Sequence, residues 1–515
     1  MLDARAYGLP DDFKWRKYQV EVIETVLKAF EKGYKNVLID APVGFGKTLV
    51  NYCIARHFSS TIYTTPQVVL LDQIENDPLL DIAVIKGRDN YHCLIDRGKT
   101  AANGRCKRDL KFKCYEDCPY RTAKQKALYH PIAAMSFAYL IYDRFVPEEY
   151  AFGNRELIIV DEADDLEGWA EEFGSFKFKV DNQKFDSLDE IIVWAKAVLK
   201  NVNDRIWELE NYVELNDNEI KELEKLRKYK IKLTVFLDKV GKNRRNWVFE
   251  KRGEYIIVKP VNVGEILNDI IWSRGEYRIA SSGTIINREM FCKTTGLRLK
   301  ETVIIRVPSI FQVERRPVYY YPVAKMTKEL RAENYHKIAE AIARIAMKHK
   351  GEKGLIHAHS YEIAKEIYNM LDVEGIRVAM HDSSDRKKVM NRFMNDEIDV
   401  LISVGFTRGV DLKHDLCRWQ VIVKVPFPDV SDIRVREIWI NRKSWNWARY
   451  QAIKNIVQAY GRVVRAEDDY GVTYIIDESF GHLFRYKSQF PKYFVEAVKE
   501  IRSLEEVVPV GKAMD

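Results

Sequence analysis

Residues 41–48 read APVGFGKT, between the apolar run Asn36–Asp40 and a segment that turns helical at about Lys47. Such a loop offers backbone N–H groups and the positive end of a helix to phosphate oxygens. Gly44, Phe45 and Gly46 bring the main chain close to the ligand. Lys47 is placed for the β and γ phosphates and Thr48 for Mg²⁺. Ala41 stands where the first glycine is usual, but strand, loop and helix follow in the required order. A structural glycine turn is the plainer alternative. A second acidic signal argues for ATP: Asp161-Glu162-Ala163-Asp164 ends another apolar strand, Leu157–Val160. Asp161 can hold Mg²⁺ with Thr48, and Glu162 can polarise the attacking water. Far downstream, QAYGRVVR sets Gln458, Arg462 and Arg465 on one helix face, at spacings of four and three. Guanidinium groups there would neutralise charge developing on the γ phosphate. Taken alone, that helix is only a basic surface.

Cys93, Cys106, Cys114 and Cys118 crowd into one short stretch, whereas Cys53, Cys292 and Cys417 are scattered thiols. Four close thiolates suit a 4Fe–4S cluster or structural Zn²⁺. Two tidy CxxC knuckles are missing, which disfavours a zinc ribbon. Residues 81–130 carry twelve Lys/Arg against six Asp/Glu. Arg88, Arg108 and Lys113, with Tyr91 and Tyr120, give this stretch charge for phosphates and rings for unpaired bases. A solvated basic face with local aromatic core is the competing reading. His357 and His359, near a buried strand and far from any cysteine, read as satisfied histidines.

The elements that must position these residues are legible in outline. A helix from about Lys17 to Lys32 precedes the first strand, with Val22, Ile23, Val26, Leu27 and Phe30 at helical spacing. Residues 176–264 read as a mostly helical hairpin, with Asn216 and Glu219 as a capping box. A coiled-coil dimer is the alternative for its two apolar stripes. From about Arg316 strand-like runs (Gly354–Ala358, Val400–Val404, Val421–Val425, Val472–Ile476) alternate with helices such as Ala332–His349. The 515 residues are 46% hydrophobic and 31% charged, with a net charge of +7. This is a globular composition and only a mild basic surplus. It excludes a disordered or fibrous chain and, with interrupted apolar runs and no leader-like start, points to a soluble intracellular protein without a membrane span; the expectation is a monomer, cytoplasmic or nucleoid-associated.

Taken together, the motifs resemble the XPD/DinG-type iron–sulfur helicases of superfamily 2, over nearly the whole chain. WRKYQ (Trp15–Gln19) resembles the adenine-contacting element, with Arg16 and Gln19 as its candidates. TTPQVVLLDQI holds the place of motif Ia, with Thr65, and SSGTI (Ser281–Ile285) that of motif III. GLIHAHS, ending at Ser360, lies where motif IV belongs. GFTRGVDL is similar to motif V, with Asp411 at its acidic position, and QAYGRVVR to motif VI. GRDNYHC and CPY around the first and last clustered cysteines are similar to the family's cluster domain. Departures are Asp164 where the family usually has His, Arg408 where it often has Glu, and a short helical insertion.

The resemblance implies an α/β fold: two RecA-like motor domains, with an iron–sulfur insert and a helical arch-like insert in the first. The first motor would comprise 1–84, 131–175 and 265–310, interrupted by the cluster insert 85–130 and the arch 176–264; the second would be 311–515. It implies ATP, Mg²⁺ and a 4Fe–4S cluster as cofactors. It implies a DNA-stimulated ATPase and DNA helicase on single-stranded and forked DNA, moving 5′–3′, with DNA-repair or replication proteins as partners. Arg88, Tyr91, Arg108, Lys113, Tyr120, Thr65 and Ser360 would touch the strand. A translocase that does not separate strands, or a non-enzymatic scaffold subunit, are the rivals. The intact set of Lys47, Thr48, Asp161, Glu162, Arg462 and Arg465 speaks against the scaffold.

Overall fold

The computed structural model describes residues 3–510 apart from 109–111, 113, 115–116, 181–182, 213–214, 406–411, 413, 465–467 and 509, and apart from the Arg108 side chain. In chain order its strands are β1 (Asn36–Asp40), β2 (Thr61–Thr65), β3 (Ala83–Val84), β4 (Ile132–Ser136), β5 (Arg155–Asp161), β6 (Phe176–Lys179), β7 (Trp247–Arg252), β8 (Tyr255–Pro260), β9 (Gly275–Ser282), β10 (Thr302–Arg306), β11 (Val318–Ala324), β12 (Gly354–His357), β13 (Val378–Met380), β14 (Val400–Ser403), β15 (Trp419–Ile422), β16 (Val472–Asp477) and β17 (Val498–Glu500). NVLID, GLIH, VLIS and WQVI are buried at every position. Runs without polar alternation belong to strands covered on both faces, as parallel sheets are.

Two such sheets form. The first has the order β10-β1-β9-β5-β2-β4-β3 and the second β13-β14-β12-β15-β16-β11-β17, with parallel pairing throughout. The fold is α/β with two parallel-sheet units, each covered by helices. In the first unit Asp40 lies beside Ser282, and Asp161 beside Ser281, so three strands end at one edge. The crevice outside the carboxyl ends of parallel strands is where such sheets bind ligands.

Between β5 and β9 the chain leaves the sheet. Its hairpin consists of the helices Leu188–Glu210 and Asp217–Lys242. The capping box is present: Asn216 Oδ1 accepts from the Glu219 N–H at 3.0 Å, and the Glu219 carboxylate accepts from the Asn216 N–H at 2.8 Å. Val202, Ile206 and Leu209 pack in one core with Ile220, Leu223 and Phe236. The two stripes thus bury each other within the chain. A three-stranded antiparallel sheet, β6-β8-β7, forms the base of the hairpin. Its signal is the alternation in Phe176–Lys179, phenylalanines in and lysines out, and a two-residue turn in which Gly253 has φ +59°. The cysteine-bearing stretch meets the hairpin through Lys99–Asp217 at 2.9 Å.

Gly354 begins β12, in the middle of the second sheet. A Cβ there would stand 2.1 Å from the ring of Trp419 on the adjacent, fully buried β15. Gly354→Ala must therefore displace a packed indole. Overpacking of this kind costs roughly 1–3 kcal/mol. Denaturant titration should show the second unit unfolding earlier; an unchanged midpoint would mean that this strand pair has slack.

Candidate functional site

The loop after β1 is built to present its main chain. Gly44 and Gly46 have φ +83° and +84°, in the left-handed region that side chains avoid, and Gly46 opens the helix Lys47–Ala55. Arg16, ahead of the helix Gln19–Glu31, and Gln19, its first residue, brace the loop. Arg16 Nη1 donates to the Gly44 carbonyl at 2.6 Å, and Gln19 Nε2 to the Phe45 carbonyl at 2.9 Å. A Cβ at residue 46 would meet that Gln19 amide at 2.6 Å. Arg16 and Gln19, expected at the adenine, are here engaged with the loop itself. Phe45 is buried beneath it.

Lys47 faces the acidic end of β5. Asp161 is buried; its carboxylate accepts from the Tyr63 hydroxyl at 2.6 Å and from the Glu162 N–H at 3.0 Å. Burial pushes its pKa up, while Lys47 and Tyr63 pull it down. Burial likewise pushes Glu162 up to about 7, against Lys47 and with help from Asp161 and Asp164. Glu162 has φ +49°, a strained conformation for a residue with a side chain. Tyr63 on β2 also lies near Thr48. Asp40, at the end of β1, is pushed up to about 6 by burial, although it accepts from the Ile285 and Ile286 N–H groups.

The second unit closes the site. Asp164 accepts from Ser282 Oγ of the first unit and from Gln458 Nε2 of the second, and its carbonyl accepts from Lys454 Nζ at 3.0 Å. Gln458 and Lys454 lie on the helix Trp445–Tyr460. A cavity of about 250 Å³ is left between the units, lined by Val43, Lys47 and Glu162 from one and by Gln458, Gly461 and Arg462 from the other. Tyr493 reaches across to donate to the Gly283 carbonyl at 3.2 Å. One turn beyond Asp164, Glu167 makes a second bridge. It accepts from Arg434 at 2.7 Å, from the Trp447 indole at 2.9 Å and from Gln451 at 2.6 Å, all of the second unit. Burial acts to raise the Glu167 pKa, but Arg434 and Lys454 outweigh it and hold the carboxyl below its usual value.

The structure thus brings Lys47, Glu162, Gln458 and Arg462 to one cleft, with Thr48 and Asp161 meeting at Tyr63. Arg465, Asp411 and Lys113 lie outside the described residues. Tyr63 and Lys454 are additions that the sequence did not announce, and Ser282 was legible only as part of the SSGTI run, with no role of its own. Asp164 stood out only as a departure from a pattern. None of these four has a local spacing signal, since each acts across strands or across the cleft.

The expected strand contacts are placed less uniformly. Thr65 is fully buried at the end of β2. Ser360 caps the helix Tyr361–Met370, accepting from the Ile363 N–H at 3.3 Å. Arg88 lies over the Tyr120 ring at 4.3 Å, and Tyr120 meets Tyr91 edge-on at 5.7 Å. All four clustered cysteines are half-buried thiols. Cys118 precedes the helix Pro119–Tyr129, and Cys106 lies on the short helix Arg105–Arg108. Cys93 packs so closely on Gly104 that a Cβ there would stand 2.6 Å from its sulfur. Cys114 is in hydrogen-bond contact with Cys118 and within electrostatic reach of Cys106. The donor chemistry fits a thiolate-held group. Among the described residues, however, no three ligating side chains converge on one point.

Comparison with known proteins agrees with this geometry. Residues 342–497 match the family model of the helicase C-terminal domain, and residues 12–168 that of the type III restriction enzyme res subunit. A probable ATP-dependent helicase of Methanocaldococcus jannaschii is 22% identical over 92% of this chain and 93% of its own length. The ATP-dependent DNA helicase DinG of Photobacterium profundum is 25% identical over 44% of this chain and 35% of its own. The XPD/RAD3 helicase subunit of general transcription and DNA repair factor IIH of Saccharomyces cerevisiae is 28% identical over 20% of this chain and 14% of its own. In fold, a solved XPD helicase superposes with a TM-score of 0.65 at 17% identity, covering 95% of this chain and all of that one. Xpd4 of S. tokodaii gives 0.59 at 17% identity, covering 94% of this chain and all of its own. Among the described residues no helix is long and apolar enough to cross a membrane. With a phosphate loop and an acidic strand end facing a motif VI helix across one cleft, the chain is similar to the XPD/DinG-type helicases of superfamily 2 and is an ATP-hydrolysing enzyme of the helicase type.

Proposed function

We propose that this enzyme spends ATP to move along single-stranded DNA and part the duplex ahead. The observation that carries it is the cavity whose lining comes from both units, with Lys47 and Glu162 on one wall and Gln458 and Arg462 on the other. In this reading Gly44, Phe45, Gly46 and Lys47 hold the phosphates, and Arg16 and Gln19 the adenine side. Thr48 and Asp161 hold Mg²⁺. Glu162 takes a proton from the attacking water as its oxygen bonds to the γ phosphorus and the bond to the β–γ bridging oxygen breaks. Arg462 and Arg465 neutralise the charge that develops. A nucleotide gripped from both sides links its hydrolysis to a change in the distance between the units, the physical route from chemistry to stepping. Movement in the 5′–3′ direction, and work beside repair or replication proteins, rest on the family resemblance.

The basic cysteine-bearing stretch belongs to this reading. Cys93, Cys106, Cys114 and Cys118 would hold a 4Fe–4S cluster, which supplies folding free energy to a segment with little core of its own. Arg88, Tyr91, Arg108 and Lys113, with Ser360 in the second unit, are assigned to strand contact and Asp411 to the nucleotide; Thr65 and Tyr120, both buried, are not.

Forked DNA with a single 5′ or 3′ tail tests the function. The wild-type protein should displace a strand only from the 5′-tailed fork, with ATP turnover rising when single-stranded DNA is added. Translocation without displacement would favour a strand-tracking remodeller, and no DNA-stimulated turnover a scaffold. Lys47→Ala should nearly abolish turnover yet leave DNA affinity largely intact. Gln458→Ala and Lys454→Ala each remove one donor from the second unit at Asp164. A hydrogen bond to a charged group is worth about 1.5–3 kcal/mol. If it tightens in the closed transition state, turnover falls roughly ten- to hundredfold while equilibrium ATP binding changes far less; equal losses in both would make the bridge a binding contact only. Cys114→Ser should remove the brown absorbance and cripple unwinding more than ATP turnover. A colourless wild-type protein with stoichiometric zinc would overturn the cluster.

A further inference from the structure

The helix Trp445–Tyr460 carries Gln458 to the nucleotide cleft near its carboxyl end. Near its amino end two contiguous cavities, of about 640 and about 260 Å³, open between the units. They share Met290, Lys293 and Asn446, so they form one groove. Trp445 lines it with 55% of its surface exposed, and its ring is held edge-on against Trp439 at 5.5 Å. Beside it Lys443 has φ +51°, at the end of a π-helical turn over Glu437–Asn441. Wide turns and left-handed non-glycine residues are costly, and they collect where a segment must present a group.

The charges around this groove are unbalanced in one direction. Glu167 is neutralised by Arg434, and Glu437 by Arg442 at 2.8 Å. Lys293 and Lys443, both exposed, have no ion-pair partner among the described residues. Glu289 is the one exposed carboxylate along the lining, in the smaller cavity. A large exposed indole between two uncompensated ammonium groups, with the Asn446 and Asn262 amides in the same walls, offers a stacking face flanked by phosphate partners.

We propose that this groove takes one or two nucleotides of the single strand, one base stacking on Trp445 and the adjoining phosphates pairing with Lys293 and Lys443. This rests on single-stranded DNA being the substrate, as argued above. It adds a place where the strand is sensed. Trp445 and Gln458 are thirteen residues apart on one helix, about 20 Å at 1.5 Å per residue. Gln451, between them, is bonded to Glu167 of the first unit. A rigid rod with a base at one end and Asp164 at the other couples strand occupancy to the cleft without any further part.

Binding of a fluorescent oligothymidylate, read by anisotropy at several salt concentrations, tests the groove. Trp445→Ala should weaken binding roughly five- to 150-fold, the worth of one base stacked on an aromatic ring, and Trp445→Phe should recover most of it. Lys443→Glu, at an exposed position that leaves packing intact, should flatten the logarithmic salt dependence by about 0.7 for the lost phosphate contact. Oligothymidylate carrying 4-thiothymidine should crosslink to the peptide containing Trp445. If the wild type binds the strand while the variants bind equally well and the crosslink maps elsewhere, the groove assignment falls and the motor reading stands. If thymidine monophosphate competes as well as the oligonucleotide, the groove is a free-nucleotide site and the assignment also falls. If the wild type binds no single strand at all, the motor reading itself fails.

Discussion

Four carboxylates lie within five residues at the end of β5: Asp161, Glu162, Asp164 and Asp165. Asp161 and Asp164 are buried, and Glu162 is enclosed enough for its pKa to rise to about 7. Moving a carboxylate from water into a protein interior costs several kcal/mol unless cations or donors meet it. Within the first unit the answering groups are Lys47, the Tyr63 hydroxyl and the Ser282 hydroxyl. They leave the Asp164 carboxylate incompletely served, and its remaining donor, Gln458, stands on the other unit, where Lys454 also donates to the Asp164 carbonyl. The electrostatic need of one strand end thus makes closure of the two units part of the site.

Glu167 repeats the same logic one helical turn later, with a fully formed buried pair to Arg434. That pair extends to the base of the hairpin, because Arg434 also donates to the Pro260 and Val261 carbonyls at 3.1 Å. Lys259 on β8 adds a bridge to Asp432 at 2.5 Å and one to Glu171 at 2.7 Å. The hairpin is inserted in the first unit by chain order, yet its base sheet is fastened to the second. One buried charge pair and one half-buried cluster thus join the nucleotide-binding side to the hairpin, and the hairpin in turn touches the cysteine-bearing stretch at Asp217.

Asp164 replaces a histidine common in the resembling family. A carboxylate here accepts from Ser282 and Gln458 together. An acceptor-only group fits a position flanked by a hydroxyl and an amide, both of which can donate.

Local patterns fixed a large part of the protein. The strand NVLID, the two-glycine turn and the helix that follows are where hydrophobic runs and left-handed glycines require them. The hairpin was legible from two apolar stripes separated by a capping box, because helical period and cap chemistry act within a few residues. Its base sheet was hidden, since four-residue strands paired at a distance carry little pattern of their own. The residue types suited to bind phosphate, magnesium and transition-state charge were also readable, as chemistry limits which side chains can do that work. Only the tertiary structure decided that Tyr63 orients Asp161, that Gln458 and Lys454 meet Asp164, and that a basic, tryptophan-rimmed groove lies at the far end of the same helix. Those contacts join residues up to hundreds of positions apart. Their geometry depends on how two sheets and an insertion pack, which no short stretch of sequence specifies.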